Sequence, residues 1–496
     1  MGLSLAFHLI AAWFSVGHHS ADEYFQILEF LSYKRGLTPA YDLPVEFHEQ
    51  MRPWMQPFIY GLITRAWEAL GVHNPFTWAW SFRLITGLLG WAATVGLALR
   101  SRKWFSDPIA QQFCVIGLAV FWFLPALHVR PSSESLAGSA FLCALVLLTG
   151  PTPRYFLAGV FMGISFEARF QLALMSLGLF AWLIFIGPSV LPTTFSSRIK
   201  KSLPVLAGLA LIIAIGRWID HWGYGQWVIS PWRYFEYNLL RGEVNRFGRS
   251  PFWDVFRMSF TESWPFLGLG LAIASCVAWI RHPRHPLTWS HIPFFLVHEV
   301  IAHKELRFFF PIALAGPVLL TLSLTSARTG RFTDPACLIS DQILGGWPAK
   351  LGRAFWRFLI INNFIALIAL LFLPFSRPIQ FFKSIWDFIP QNAARFEILY
   401  RNDDPYHLLG NPIYFYHPPS LVTLKFNDYA DLIPRLRAQE TLWIFIPQIS
   451  LPSEAAPIAS SCQPAIRSLP EWVTHFNFNH WLERAHPYTL FKCVDR

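Results

Sequence analysis

Residues 308–327 read FFFPIALAGPVLLTLSLTSA, a run of 20 positions without a charged side chain. About 20 apolar residues are what a helix needs to cross the hydrocarbon core of a bilayer. The residues directly before this run, HKELR at 303–307, carry three basic-capable side chains and one acid. The sequence therefore predicts a transmembrane helix that begins at a short charged connection.

Uncharged stretches of the same kind recur along the 496 residues. The others lie at 2–21, 84–99, 109–127, 135–153, 155–166, 170–197, 202–216, 263–280, 285–297 and 358–376. We predict an all-α polytopic membrane protein with about eleven transmembrane helices. The first stretch lacks the basic start and the small-residue cleavage site of a signal peptide, so we predict an uncleaved span.

The composition excludes other broad classes of protein. Charged residues make up 14% of the chain, against about 25% in soluble proteins, and 54% of the residues are hydrophobic. A soluble fold of this size would leave much of that apolar surface exposed. The net charge of +10 comes from Lys and Arg in short runs between apolar stretches. This pattern is typical of membrane topology and not of a nucleic-acid-binding surface.

The basic residues also predict the orientation, because Lys and Arg concentrate in cytoplasmic connections. These residues are Arg100, Arg102, Lys103, Arg198, Lys200, Lys201, Arg281, Arg284, Arg328, Arg331, Lys350 and Arg353. Alternation of eleven spans then places residues 18–83, 217–262, 303–307 and 377–496 on the opposite side, the outer face. The first outer loop is acidic, with Asp22, Glu23, Glu29, Asp42, Glu46, Glu49 and Glu68. Two of the outer loops are too long to be simple connectors, which predicts that function lies on this face.

Residues 377–496 differ in character from the preceding chain. Short apolar runs alternate with Pro, Asn and charged residues there, which predicts a small extramembrane α/β domain after a transmembrane domain at 1–376. Cys462 and Cys493 are the cysteines of this region, and an oxidising outer face would allow them to pair. The cysteines show no metal-ligand spacing, and the chain shows no internal repeat of the kind found in inverted-repeat transporters.

The segment Ser20-Ala21-Asp22-Glu23-Tyr24-Phe25-Gln26 places two adjacent acids where the first span leaves the membrane. One interpretation is structural: Ser20 caps a helix and Glu23 completes a capping box. The other is catalytic, because a carboxylate at a low-dielectric boundary can acquire a raised pKa and accept a hydroxyl proton. The residues alone leave both interpretations open.

The segment from His303 to Phe308, HKELRF, is the second candidate site. Its basic side chains are either interfacial anchors or ligands for a lipid-linked phosphate, which Arg can grip bidentately. Arg130 and Arg169 also end predicted spans on the outer side, where Glu134 and Glu167 are available for local ion pairs. Asp220, followed by HWGYGQW, begins the second large outer loop.

These segments together resemble a known family. Asp22-Glu23-Tyr24-Phe25-Gln26 resembles the His-Pro-Asp-Glu-Tyr-Phe-Gln signature of family 22 glycosyltransferases, the lipid-phosphate-mannose-dependent α-mannosyltransferases of N-glycan-precursor and GPI-anchor assembly. Residues 303–308 resemble the family's His-Lys-Glu-Glu-Arg-Phe motif. Three intermediate segments are similar in the same order: RPSSE at 130–134, the residues from Arg169 onward, and 220–254 with Tyr224 and Asn238. The departures, Ser20-Ala21, Leu306 and Ser250, leave the sugar and the acceptor open.

The resemblance implies a GT-C fold and an inverting reaction in which mannose moves from a polyprenyl phosphate to an acceptor hydroxyl as an α-mannoside. It implies Asp22 as the general base and Glu23 as its neighbour that orients the acceptor or tunes the base. Arg307, Lys304 and His303, with Arg169 as a weaker candidate, would bind the donor phosphate. Acceptor-binding or structural support would come from Glu305, Arg130, Asp220, Tyr224 and Asn238. Neither a metal nor a cofactor is expected, because the lipid-linked sugar is a substrate.

Other functions stay open at this point. The same fold with a lipid-linked arabinose, glucose or aminoarabinose is the first alternative, and a transporter, lipid flippase or noncatalytic scaffold are the others. The expected partners are the lipid donor, a glycan, glycolipid or glycoprotein acceptor, and membrane lipids, without nucleic acid. The protein would lie in a bacterial inner membrane with a periplasmic site, or in the endoplasmic reticulum membrane with a luminal site.

Overall fold

The computed structural model describes residues 1–188, 194–333, 335, 349–390, 393–438, 440–475, 477, 482 and 487–495. The chain divides into two compact units. The first, called the helical unit here, comprises Met1–Ser15, Val45–Trp67 and Trp80–Leu373. The second, called the sheet unit, comprises Val16–Pro44, Glu68–Ala79 and Pro374–Arg496.

Helices dominate the chain up to residue 388. The α-helices of four or more residues there are Gly2–Phe14, Glu29–Lys34, Val45–His48, Met55–Ala69, Pro75–Trp104, Pro108–Val120, Leu124–His128, Ser133–Leu148, Tyr155–Ala168, Ala173–Phe185, Phe195–Tyr224, Ser230–Phe235, Asp254–Thr261, Pro265–Arg281, Pro286–Val300, Phe310–Ala313, Gly316–Ser323, Ala349–Phe372 and Arg377–Phe388. Shorter helical turns connect several of them: Ala21–Glu23, the π-helices Tyr24–Leu28 and Glu236–Leu240, and the 3₁₀ turns Ala40–Asp42, Phe170–Leu172, Glu243–Phe247 and Leu306–Phe309. The mostly helical fold agrees with the prediction.

Three helical segments are long and apolar enough to cross a membrane: Pro75–Trp104, Phe195–Tyr224 and Lys350–Phe388. Shorter apolar helices of 10–17 residues occupy most of the other predicted stretches. By length and composition the described residues thus contain three spanning helices, or four with one bent pair. The topology with about eleven spans stays a prediction.

The stretch at 308–327 is not the single straight helix that its length and composition predict. It forms the pair Leu306–Ala313 and Gly316–Ser323, bent by 70° at the break. Pro311 and Pro317 each lie in the first turn of one of the α-helices. Proline is tolerated in a first turn but removes a hydrogen bond inside a helix, so this spacing favours two short helices over one long helix.

The helices of the helical unit pack closely against one another. The core of the helical unit contains buried apolar side chains such as Leu97, Phe141 and Leu179. Helices Tyr155–Ala168 and Phe195–Tyr224 approach so closely that a Cβ at Gly159 would lie 2.0 Å from the Val205 carbonyl oxygen. Small residues allow such backbone approach in membrane proteins.

The sheet unit contains the strands β1 Phe396–Tyr400, β2 His407–Leu408, β3 Asn411–Pro412, β4 Leu421–Lys425, β5 Leu442–Ile446, β6 Cys462–Arg467 and β7 Thr489–Cys493. Five of them form one sheet in the order β4-β1-β5-β7-β6, while β2 and β3 form a separate hairpin. Strand β1 is parallel to β4 and β5, and β7 is antiparallel to β5 and β6. Alternate residues of β5, Leu442, Ile444 and Ile446, enter one core because side chains alternate along a strand. A small C-terminal sheet region is thus present, as predicted.

The helical segments Arg377–Phe388, Tyr429–Leu432, Ile433–Arg437, Ser453–Ser461 and Glu471–Thr474 accompany the sheet. Cys462 and Cys493 are register partners on β6 and β7, and a disulfide joins them. The strand pairing places the two residues together although 31 positions separate them in sequence.

Replacing both cysteines by serine is expected to lower the free energy of unfolding by about 3–4 kcal/mol, because the disulfide closes a long loop in the unfolded chain. Thermal unfolding of the full chain in detergent would measure the loss. Reducing agent should lower the melting temperature of the parent protein and leave that of the double variant unchanged. Equal melting of parent and variant under oxidising conditions would contradict this expectation.

Candidate active site

The acidic pair begins a helical segment of the sheet unit. Asp22 and Glu23 lie in the turn Ala21–Glu23, which continues as a π-helix, a feature frequently found at functional sites. The Ser20 hydroxyl makes no capping bond to this helix, so the predicted capping box is not formed. Instead Glu23 Oε1 accepts a hydrogen bond from the His19 N–H at 3.2 Å. Glu23 is buried and Asp22 only half-buried, which makes Asp22 the more accessible acid.

Glu29 lies further along the same segment. The sequence analysis named it only as one acid of an acidic loop and predicted no function for it. Its side chain is 2% exposed. It accepts hydrogen bonds from the hydroxyls of Tyr24 and Thr38 and from the N–H groups of Tyr414 and Phe415. Burial raises the pKa of Glu29, and these hydrogen bonds oppose the rise. Its partners at 414–415 are distant in sequence, so no local pattern indicates this role.

The basic motif forms an ion-pair cluster in the helical unit. Arg307 binds Glu305 through two hydrogen bonds, Nε to Oε2 at 2.6 Å and Nη2 to Oε1 at 2.9 Å. Arg169 Nη1 lies 2.7 Å from Glu134 Oε1, and Arg307 Nη1 lies 3.7 Å from the same oxygen. Both guanidinium groups lie near the Phe308 ring, at 5.1 and 5.4 Å from its centroid. The structure thus brings Arg169 and Arg307 together around one buried carboxylate, Glu134.

His303 and Lys304 differ in their surroundings. His303 Nε2 lies 3.1 Å from Glu305 Oε1, so His303 adjoins the ion-pair cluster. Lys304 is buried, and its Nζ donates to the carbonyl oxygens of Ile301 at 2.8 Å and Ser250 at 3.2 Å. The bond to Ser250 connects the 303–307 segment to the 217–262 segment. The predicted phosphate-binding role of Lys304 would require its ammonium group to turn from these carbonyls.

The local ion pairing considered for Arg169 and Glu167 is not what the structure shows. Arg169 pairs with Glu134, 35 positions away, and Glu167 pairs with Arg217 at 2.8 Å. Arg130 is fully buried and donates to the carbonyl and hydroxyl oxygens of Ser15. Arg130 therefore binds the residue that directly follows the first helix, Gly2–Phe14.

Asp220 is also buried and has a clear structural role. It accepts hydrogen bonds from the Trp54 N–H at 2.8 Å and the Ser230 hydroxyl at 2.6 Å. Its carboxylate also pairs with Arg217 Nη1 at 2.7 Å. Asp220 thus connects the 51–54 segment to both ends of the 220–230 turn.

Tyr224 and Asn238 extend this support. The Tyr224 hydroxyl donates to the Arg52 carbonyl at 2.8 Å and accepts from the Arg52 N–H at 3.2 Å. The Asn238 amide donates to the Tyr234 carbonyl, one turn earlier, at 3.0 Å. Both contacts favour the structural alternative that the sequence left open for these residues.

We expect Arg217→Met to destabilise the helical unit by about 3–5 kcal/mol, because it leaves two buried carboxylates, Glu167 and Asp220, without their shared cation. The matched control is Arg246→Met, since Arg246 is 78% exposed and pairs with Glu243 on its own turn. Its cost should stay below about 1 kcal/mol. Thermal unfolding of both variants in detergent tests this, and equal losses would contradict it.

A protein metal site needs several side-chain ligands that converge on one point. Within the ranges that the structure describes, His, Cys, Asp and Glu side chains do not gather in groups of three or more that could hold a metal ion. The carboxylates of the ion-pair cluster, Glu134 and Glu305, are bound by arginines.

Solved structures establish the class to which this fold belongs. The chain is similar to the crystal structure of ArnT from Cupriavidus metallidurans bound to undecaprenyl phosphate, with a TM-score of 0.54 and 12% sequence identity, over 99% of this chain and 96% of that chain. The apo structure of the same protein matches with a TM-score of 0.50 and 13% identity. This likeness shows the fold, which is of the GT-C type expected from the sequence.

The chain belongs to the Alg9-like mannosyltransferase family, whose model matches residues 2–400. It is 22% identical to GPI alpha-1,2-mannosyltransferase 3 of Danio rerio over 64% of this chain and 58% of the relative. It is 23% identical to the Homo sapiens protein of that name, over 62% and 54%, and 25% identical to GPI mannosyltransferase 3 of Yarrowia lipolytica, over 59% and 55%. The matched region thus spans little more than half the length of these relatives.

Proposed function

We propose that this protein transfers mannose from a polyprenyl-phosphate donor to a hydroxyl of a glycan or glycolipid, with inversion, to form an α-mannoside on the outer face of the membrane. Membership in a mannosyltransferase family supports the sugar. The similar ArnT structure is of that protein bound to undecaprenyl phosphate, which supports a polyprenyl-phosphate donor here.

The observation that carries the proposal is the pair of guanidinium groups, Arg169 and Arg307, held by one buried carboxylate. Arg307 is 11% exposed and Arg169 is 3% exposed, so their charges act in a medium of reduced dielectric constant. Two guanidinium groups in such surroundings suit a phosphate group that gains negative charge as it leaves.

The proposed reaction is a single displacement. As the acceptor oxygen bonds to C1 of mannose, its hydroxyl proton passes to the Asp22 carboxylate. The bond between C1 and the phosphate oxygen breaks, and its electron pair leaves with the polyprenyl phosphate. Arg307, with Arg169 beside it, stabilises that charge, and Glu23 orients Asp22 or the acceptor. Attack from the face opposite the leaving group converts the β-linked donor into an α-linked product.

The side of the membrane is also part of the proposal. Lys and Arg in the short connections support a cytoplasmic position for those connections, and hence an outer position for Asp22 and Arg307. The disulfide between Cys462 and Cys493 supports an oxidising surrounding for residues 377–496. We assign these residues to the periplasmic or luminal side as an extramembrane region, after a transmembrane domain at 1–376 with about eleven spans.

In the test of this proposal, the purified full chain is incubated with radiolabelled polyprenyl-phosphate mannose and with a lipid and glycan extract from its own host. Transfer of label to a new product, released by α-mannosidase, would support the proposal. Binding of the donor without transfer would show that the extract lacks the acceptor. Absence of donor binding would reject mannose as the sugar, and lipid-linked glucose and arabinose would then be tested.

Metal independence is tested in the same assay. A polyprenyl-phosphate donor releases one phosphate, whose charge arginines can balance through charge-assisted hydrogen bonds. We therefore expect equal rates with EDTA and with added Mg²⁺ or Mn²⁺. A loss of activity in EDTA that a divalent cation restores would contradict this part of the proposal.

A further inference from the structure

The acidic segment is attached on its upstream side to residues far along the chain. The Val16 carbonyl oxygen accepts hydrogen bonds from the N–H groups of Phe375 at 2.9 Å and Ser376 at 3.2 Å. The His19 and Phe375 rings also meet, with centroids 6.0 Å apart. The chain six positions before Asp22 is therefore fixed to the start of the segment Pro374–Arg496 of the sheet unit.

This upstream attachment depends on Gly17. Its φ of +95° lies in the region that favours glycine. A Cβ at this position would lie 2.3 Å from the Ser376 Cβ, so only a residue without a side chain allows the approach.

The downstream side is attached through Glu29. Its Oε1 accepts from the N–H groups of Tyr414 at 2.8 Å and Phe415 at 3.1 Å, as well as from the Tyr24 hydroxyl. Its Oε2 accepts from the Thr38 hydroxyl. One buried carboxylate thus joins the acidic segment to two successive backbone amides of the C-terminal region.

Aromatic contacts reinforce the same attachment. The Tyr24 ring stacks on Tyr416 with centroids 5.8 Å apart, and Tyr416 stacks on Phe76 at 4.7 Å. The Tyr414 hydroxyl donates to Asp42 Oδ2 at 2.5 Å. The two stacked ring pairs stabilise the folded state beyond the burial of their apolar surface, and they limit the orientation of the rings.

From this geometry we propose that Glu29 is a positioning residue, and that residues 375–376 and 414–416 hold the Asp22 carboxylate for proton removal. The inference rests on the proposed function, in which Asp22 is the base. Asp22 lies between the two attachments, six residues after Val16 and seven before Glu29. Because both attachments come from the segment Pro374–Arg496 of the sheet unit, we assign its residues 375–376 and 414–416 to positioning of the base.

The test is Glu29→Gln, assayed in the full chain with polyprenyl-phosphate mannose and the acceptor extract. An amide cannot accept all the hydrogen bonds that the two carboxylate oxygens accept. A displacement of a reacting group by about 1 Å can cost about 10²-fold in rate. We expect kcat to fall about 10²-fold while the KM for the donor stays within about twofold, because the proposed phosphate ligands lie in the helical unit.

The matched control is Glu397→Gln. Glu397 lies on strand β1 of the same unit, is 31% exposed, and pairs with Arg395 and Arg435. It should leave kcat and KM unchanged. If Glu29→Gln fails to fold, Tyr24→Phe decides the matter, because it removes one hydroxyl from Glu29 and keeps the ring stack. Tyr24→Phe should lower kcat in the same direction by a smaller factor.

Unchanged kcat in the folded Glu29 variant, or in Tyr24→Phe when that variant decides, overturns the inference. A rise in donor KM that matches the fall in kcat also overturns it, because a general distortion would produce that result. Asp22→Asn distinguishes a failure of this inference from a failure of the proposed function. If that variant is inactive while Glu29→Gln is normal, only the inference fails, and if Asp22→Asn is fully active, the proposed base assignment fails as well.

Discussion

The Asp22→Asn variant is expected to fold normally and to lose about 10²- to 10⁴-fold in the rate of mannose transfer. General-base catalysis typically contributes a factor of this size. The amide has nearly the shape of the carboxylate but cannot take the acceptor's proton. Asp22 is half-buried in the first turn of its helical segment, and its neighbour Glu23 is the acid bound to the His19 N–H, so the substitution leaves that contact in place.

The rate is measured with purified protein at saturating donor, after size-exclusion chromatography has shown an unchanged elution profile. Asp387→Asn provides the control, because Asp387 is 51% exposed and pairs with Lys383 on one helix of the same unit. The control should transfer mannose at the normal rate. Normal transfer by Asp22→Asn at normal expression would refute its assignment as the base.

Arg307→Ala is expected to lower kcat with the lipid donor by about 10²- to 10³-fold, the usual cost of removing one preorganised group that stabilises developing charge. The effect should fall on use of the donor and leave the affinity for the acceptor unchanged. The fold should survive, because Glu134 keeps Arg169 at 2.7 Å after Arg307 is removed.

Steady-state kinetics with varied donor, and separately with varied acceptor, test this assignment. The control is Arg257→Ala, since Arg257 is 50% exposed and pairs with Asp254 on its own helix. Donor kcat and KM that both equal those of the parent would exclude Arg307 from the reaction. A fall in acceptor affinity alone would assign it to the other substrate.

The sequence predicted much of the local structure because the responsible forces are local. Long uncharged stretches can satisfy their backbone groups in lipid only as helices, and nearly all of those predicted are helical. The stretch at 308–327 is also helical, but two prolines divide it into helices bent by 70°. The acidic and basic motifs could also be recognised, because each is contiguous in the chain.

Partners that lie far apart in sequence could not be predicted. Local spacing pointed to a pair between Arg169 and Glu167, whereas burial brings Arg169 to Glu134 and Glu167 to Arg217. Glu29 was one acid among several in its loop, and only the fold shows that it binds the amides at 414–415.

The amino-acid sequence by itself determined the membrane-embedded helical character, the family and the two charged motifs, because composition and short motifs are properties of contiguous residues. Only the tertiary structure decided which charges share a partner and which residues hold the acidic segment. The physical reason is that a buried charge or hydrogen-bonding group must find a partner wherever the packed chain supplies one, and that choice depends on residues distant in sequence.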